Sequence, residues 1–259
     1  RLAFVHGVVV FRQRRVHVAV IKRGREILFD FSASDEQARG PVNVTSALIK
    51  NTCYFGLMAM TDASLPFNHG FVDVVQTKFK EGTVVCPRFG APVSYYVPLA
   101  YLTADVVLNA LGKFNPARAV GSSGGGGGVR IASSGGKSSK PWVFMELLDT
   151  ALGASSKQDG ISLIHGTLGV GQFRPGPIEI HETEFPMRVT RFDVRSDSGG
   201  PGKYRGGLGC IREYQLLDDA AVRVRGKGDM RSKCPPWGVL GGQAARTGFY
   251  AINGDELSE

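Results

Sequence analysis

Early in the chain, Val16, Val18 and Val20 alternate with His17, Ala19 and Ile21, and Glu26 to Phe31 follows a turn at Arg23-Gly24. Period-two patterning sends every second side chain to one face of a strand, so the two segments predict a β-hairpin. From Thr45 to about Met60 the chain has no Pro and is rich in Ala, Leu, Ile and Met. That composition predicts a helix, capped by Asn43 or Thr45. A second helix is expected with Thr103 as its cap and Asp105 in its first turn. Val106, Val107, Ala110 and Leu111 would share its face, and Gly112 would end it. From Met187 onward, stretches 188–195, 211–217, 220–225 and 247–253 read as strands separated by glycine turns. The pattern is that of an α+β protein, with helices mainly in the first half and a β-rich glycine-turn region in the C-terminal third.

Glycine is the compositional anomaly, at 35 of 259 residues, against a usual share of about 7%. Part of it lies between Gly121 and Ser139, a Gly/Ser-rich stretch around a short apolar, strand-like piece. Such a composition predicts a flexible loop or linker. The chain would then divide into an α+β segment at 1–120, a loop or linker at 121–140 and a β-rich segment at 141–259.

The net charge is +8. Arg223, Arg225, Lys227, Arg231 and Lys233 form a basic stretch that could meet phosphates. However, Arg223 and Arg225 alternate with Val222 and Val224, the pattern of a half-exposed strand. No aromatic residues are interleaved for base stacking. A solvated face or a subunit contact is therefore expected there, and nucleic acid is not. No apolar run approaches the roughly 20 residues of a membrane span. Arg12, Arg14 and Arg15 interrupt the one apolar stretch near the start, so no signal peptide is read. The first residue is Arg1 rather than Met, which reads as a chain that begins inside a longer protein. Cys53, Cys86, Cys210 and Cys234 form no CxxC pair, and a cytoplasmic compartment is expected.

Two nucleotide-like strings fail on spacing. Gly136-Lys137-Ser138 resembles the end of a phosphate-binding loop, but Ile131 stands where that motif needs its first glycine. Gly169-Val170-Gly171 is followed by Arg174 where a dinucleotide fingerprint needs its third glycine. HExxH is absent, no GxSxG nucleophile elbow is read, and His6, His17, His69, His165 and His181 are scattered. Each histidine reads as structural or solvated.

The informative segment runs from Pro177 to Gly242. It holds Pro177-Ile178-Glu179-Ile180-His181-Glu182, then Asp197-Ser198-Gly199-Gly200-Pro201-Gly202-Lys203-Tyr204-Arg205-Gly206-Gly207-Leu208-Gly209, then Pro235-Pro236-Trp237-Gly238. Physically this is a series of tight turns between strands. Asp197 and Ser198 can bond the backbone of their own turn. Arg205 could pair with Asp197, or hold an anion with help from backbone N–H groups. The plain alternative is a glycine-rich corner stabilised by an Arg–Asp pair.

The long string from Asp197 to Gly209 resembles the signature of the hydantoinase B/oxoprolinase family. Upstream, Asp30-Phe31-Ser32, Gly40-Pro41-Val42-Asn43, Pro66-Phe67-Asn68-His69-Gly70 and Asp159-Gly160 keep the family order. Thr150-Ala151-Leu152-Gly153 departs from it where a glycine pair is usual, and His69 stands where a small residue is expected. The resemblance covers nearly the whole chain and implies part of one family domain truncated at both ends, inactive alone. It implies catalytic roles for Asp197, Arg205, Glu179 and Glu182, and substrate contacts from Ser198, Gly199, Gly200, Asn43 and Asn68. Because Pro177 and Pro186 bracket an expected strand or loop, at most one of the two glutamates would face a site. The resemblance further implies ATP and Mg2+ on a hydantoinase A-like partner, a divalent metal in a further N-terminal segment, and an oligomer. The activity implied is ATP-dependent opening of a cyclic amide such as 5-oxoproline or a hydantoin. A ketone carboxylase subunit and a non-catalytic assembly module are the alternatives.

Overall fold

The computed structural model describes residues 2–11, 14–136, 140–168, 174–217, 221–226 and 234–256. Lys137, Ser138, Gly169-Val170-Gly171, Lys227, Arg231 and Lys233 lie outside that range.

Strands β1 (Leu2–Phe11) and β2 (Arg14–Arg23) pair antiparallel, with Val5 opposite Val20. β3 (Glu26–Asp30) returns along β2 after a turn in which Gly24 has φ 57°. The expected hairpin is therefore present, and Val16, Val18 and Val20 are fully buried on one face. Helix α1 (Ser46–Met60) follows within a residue of its expected span. Thr45 precedes it without a side-chain cap bond, and Asn43 does not cap it at all. A short helix α2 (His69–Asp73) leads into β4 (Val75–Lys78), which runs parallel to β3 and completes the sheet order β1-β2-β3-β4.

Helix α3 (Val97–Phe114) is the largest correction to the expected elements. It starts six residues before Thr103, with Pro98 in its first turn, where the missing N–H leaves no bond unmade. Thr103 lies mid-helix and donates to the Leu99 carbonyl at 2.7 Å. Gly112 does not stop the helix, which continues to Phe114. Buried residues make up 14 of its 18, so α3 is a central helix that is apolar nearly all round. Small residues let it sit close to its neighbours. A Cβ on Gly7 of β1 would lie 2.7 Å from the Val106 side chain, and one on Gly56 of α1 would lie 2.8 Å from Val107. No helix among the described residues is long and apolar enough to cross a membrane.

The short apolar piece inside the Gly/Ser-rich stretch is strand β5 (Gly127–Ser133), reached through a largely buried irregular segment. β5 pairs antiparallel with β6 (Trp142–Leu148). Next come the short β7 (Thr150–Ala151) and β8 (Ser162–Ile164), then helix α4 (Ile178–Glu184). The expectation of a strand or loop around Glu179 and Glu182 is thus replaced by a helix of seven residues between the two prolines. β9 (Met187–Val194) and β10 (Cys210–Leu216) form a two-stranded ribbon, close to their expected bounds. β11 (Val222–Gly226) joins the other edge of β5, giving the order β11-β5-β6. Of the expected strand at 247–253 only β12 (Ala251–Ile252) forms, paired with β13 (Asp255–Glu256).

The chain thus holds α1, α3 and the four-stranded sheet around one core, and a smaller core between the β5-β6 face and the β9-β10 ribbon. Val129, Ile131, Phe144 and Met187 centre the second, with Tyr214 and Leu216 packed against them.

Candidate functional site

The signature loop between β9 and β10 is closed at its base by Ser198. Its hydroxyl donates to the Arg195 carbonyl at 2.7 Å and accepts from the Gly209 amide at 3.0 Å. Asp197, at φ 55°, supplies the left-handed corner that an Asp tolerates better than most residues. The far side of the loop locks onto a segment 46 positions earlier. The Asp159 carboxylate accepts from the Arg205 amide at 2.8 Å, and the Gly160 amide donates to the Arg205 carbonyl at 2.8 Å. The Gly207 amide donates to the Leu152 carbonyl at 3.0 Å. A Cβ on Gly160 would overlap the Leu152 carbonyl and the Gly207 amide. Asp159-Gly160 and Arg205-Gly206-Gly207 are therefore the two halves of one backbone junction.

Beside this junction lies a cleft of about 210 Å³, lined by 153–156, 200–204 and 236–243 together with Gly121, Ser122, Gly206 and Ala245. Its walls are mostly backbone and small residues, with Tyr204, Trp237 and Gln243 the larger polar or aromatic contributors. Lys203 is the charged residue among those lining it, and its ammonium lies 5.5 Å from the Tyr204 ring centroid. The cleft can therefore receive a polar or anionic group through one cation and peptide dipoles. Its described lining contains no carboxylate, imidazole or thiol to move a proton.

Two buried polar clusters hold the surrounding framework. Asp105, 3% exposed in the middle of α3, accepts from the Ser122 and Ser123 hydroxyls at 2.7 and 3.2 Å, the Ser123 amide at 3.1 Å and the Thr167 hydroxyl at 2.6 Å. One carboxylate thus fixes the start of the glycine run, which includes cleft residue Ser122. Nearby, Tyr101 meets His165 edge-on at 5.5 Å, and burial pushes the Tyr101 hydroxyl up to about 12.

The second cluster centres on Glu146, which faces inward from β6. Arg212 grips it with two bonds of 2.9 and 3.3 Å, the Tyr214 hydroxyl donates to it, and His181 of α4 lies 3.3 Å away. Burial first, then the Glu146 carboxylate, holds the Tyr214 hydroxyl well above the ordinary range. Burial also raises the Asp149 carboxyl, and raises the Cys210 thiol to about 11, where it stays protonated.

The residues expected to form one site are dispersed. Gly200 lines the cleft. Ser198 and Gly199 build the loop base, where a Cβ on Gly199 would overlap the Gly206 carbonyl. Asp197 and Arg205 are both exposed, and no ion pair joins them among the described residues; Asp159 takes the place at the Arg205 backbone instead. Glu182 accepts from the Val189 amide at 2.9 Å, and Glu179 is exposed in the first turn of α4. Asn43 is fully buried, bonding the Ala38, Gly40 and Pro92 carbonyls and the Ala38 amide, so its side chain locks a loop. Asn68 caps α2 through the Phe71 amide. Sequence pattern singles out neither Glu146 nor Arg212, and it places Asp105 only as a first-turn residue. For Glu146 the available signal is a lone carboxylate at an inward strand position between Phe144 and Leu148. Among the described residues no three His, Cys, Asp or Glu side chains converge to hold a metal ion, so they do not fit a divalent metal.

The fold and site define a mixed α+β scaffold in which a glycine signature knits two distant loops beside a backbone-lined cleft. The chain belongs to the hydantoinase B/oxoprolinase family, whose sequence model matches residues 4–258. It is 28% identical over 261 residues to the B-type subunit of a putative D-/L-hydantoinase of Pseudomonas sp. strain NS671, covering 95% of this chain and 41% of that protein. It is 25% identical over 236 residues to the 5-oxoprolinase of Dictyostelium discoideum, covering 91% of this chain and 17% of that one. The fold is similar to that of an acetone carboxylase solved without nucleotide, at a TM-score of 0.77 and 17% identity, over 96% of this chain and 36% of that one. The chain spans less than half the length of these relatives.

Proposed function

We propose that the chain forms part of the B-type subunit of an ATP-dependent enzyme that opens cyclic amides, of the 5-oxoprolinase or hydantoinase type. The observation that carries this reading is the family match across residues 4–258, supported by the B-type hydantoinase subunit among the relatives. On this reading a hydantoinase A-like partner binds ATP and Mg2+ and activates the amide oxygen by phosphorylation. The present chain then shapes the surface on which the activated ring is hydrolysed. Lys203 and the peptide groups of the cleft supply positive potential to an anionic substrate. Asp197 and Arg205 act from the exposed side of the signature loop, toward the rest of the enzyme.

A ketone carboxylase subunit is the second reading, and the similarity to the acetone carboxylase fold favours it. An assembly module without catalytic groups is the third, in keeping with a cleft whose described lining has no carboxylate, imidazole or thiol. Product analysis separates them. The full-length parent protein and its partner are incubated with ATP and 5-oxoproline, a hydantoin or acetone, with and without 13C-bicarbonate. A ring-opened acid free of 13C supports the amide hydrolase. A product carrying 13C moves the assignment to carboxylase. No product under either condition leaves the assembly module.

A further inference from the structure

The three-stranded sheet β11-β5-β6 buries one face against the ribbon and carries exposed side chains on the other. Strand alternation decides which residues go where. Val129, Ile131 and Phe144 point inward. On the outward face the register sets Arg225 opposite Arg130 and Arg130 opposite Met145, with Arg223, Ala132 and Val143 forming the next row. All three arginines are exposed, and Val143 and Met145 are 57% and 51% exposed. Like charges placed directly opposite on neighbouring strands destabilise a sheet. Among the described residues no carboxylate forms an ion pair with Arg130, Arg223 or Arg225. The outward face thus sets a row of arginines beside apolar side chains.

A solvated sheet face ordinarily mixes charges of both signs, whereas Arg and Met are the residues enriched where proteins meet. We propose that this face docks on an acidic protein surface, whose carboxylates pair with Arg130, Arg223 and Arg225 while apolar side chains cover Val143 and Met145. Naming the ATP-binding partner subunit as that protein rests on the proposed function; the chemistry of the face does not. Guanidinium groups are suited to the task because each can take a carboxylate in two parallel bonds.

The test is the affinity of the full-length parent for its hydantoinase A-type subunit, measured by titration calorimetry at several salt concentrations. Arg130→Glu/Arg223→Glu/Arg225→Glu and, separately, Val143→Ser/Met145→Ser should each weaken binding by about tenfold or more, the first set also flattening the salt dependence. Unchanged affinity in variants whose circular dichroism matches the parent would overturn the assignment. If the unmodified parent does not bind that subunit at all, the proposed function fails, and the face is tested alone by 13C-methyl NMR of Met145. Poly-L-glutamate and duplex DNA of equal charge are the probes. A shift with poly-L-glutamate that is lost in the arginine variant upholds an acidic protein surface. Tighter binding of DNA would replace it with nucleic acid, and no shift with either probe would reject the site.

Discussion

Removing the Asp105 carboxylate should unfasten α3 from the glycine run that leads to the cleft. The carboxylate is 3% exposed and accepts hydrogen bonds on both oxygens, from Ser122 and Ser123 on one and from Thr167 on the other. In Asp105→Ala the hydroxyls can turn elsewhere, but the Ser123 amide is left buried without that acceptor, and each such orphan costs about 1–3 kcal/mol. Adding the volume lost from a packed helix, the total is about 3–5 kcal/mol. Asp105→Asn keeps the oxygen that serves Ser122 and Ser123 and lets the Thr167 hydroxyl reverse its role. It loses the strength of charged acceptors, about 1–2 kcal/mol. At about 2–4 °C per kcal/mol for a chain of this size, the alanine variant should melt about 10 °C lower and the asparagine variant about 4 °C lower. Thermal unfolding followed by circular dichroism measures both. An alanine variant within about 1 °C of the parent, or an asparagine variant as damaged as the alanine one, would refute the assignment of Asp105 as a hydrogen-bond hub.

Glu146→Gln leaves Arg212, whose side chain is 1% exposed, without its counter-charge; a loss of about 3–5 kcal/mol is expected in urea unfolding. Tyr214→Phe in the same assay should lose only about 1–2 kcal/mol, since the ion pair survives. Gly160→Ala forces a methyl group into the Leu152 carbonyl and the Gly207 amide. It should destabilise by about 3 kcal/mol or more and raise protease sensitivity between 152 and 163, whereas Gly40→Ala, in open space, should leave both unchanged. Burial, then the neighbouring His6 and Arg15, lowers the pKa of His17 from 6.5. The fold therefore favours neutral His17, and stability is lost as pH falls below about 6.5 toward the folded value. His17→Gln should narrow the difference in melting temperature between about pH 7.5 and about pH 5.5; an unchanged difference would contradict it.

Much of this fold is legible in short-range pattern, and the places where pattern fails share a cause. β2 is legible because Val16, Val18 and Val20 keep a strict period of two with one face buried. α1 is legible because nothing in it competes with a helix. The start of α3 is hidden because Leu99 to Leu108 is buried all round, so periodicity marks no face, and the Thr103 hydroxyl that suggests a cap bonds Leu99 instead. The stretch after Gly121 looks like a linker because composition does not reveal tertiary burial; its Ser122 and Ser123 are held by the Asp105 carboxylate of α3. The signature loop shows the same limit. Its glycines are recognisable as a motif, but their partner is Asp159-Gly160, and the Asp197–Arg205 pair suggested by proximity in sequence does not form. Charge identity alone does not tell Glu146, buried against Arg212, from exposed Glu179.

The proposed activity is tested most directly by ADP release from the protein combined with a hydantoinase A-type subunit. Release should rise on adding a cyclic amide, in step with one ring-opened acid per ADP, and should not need bicarbonate. Release that no cyclic amide stimulates, or that rises only with a ketone and bicarbonate together, would contradict it.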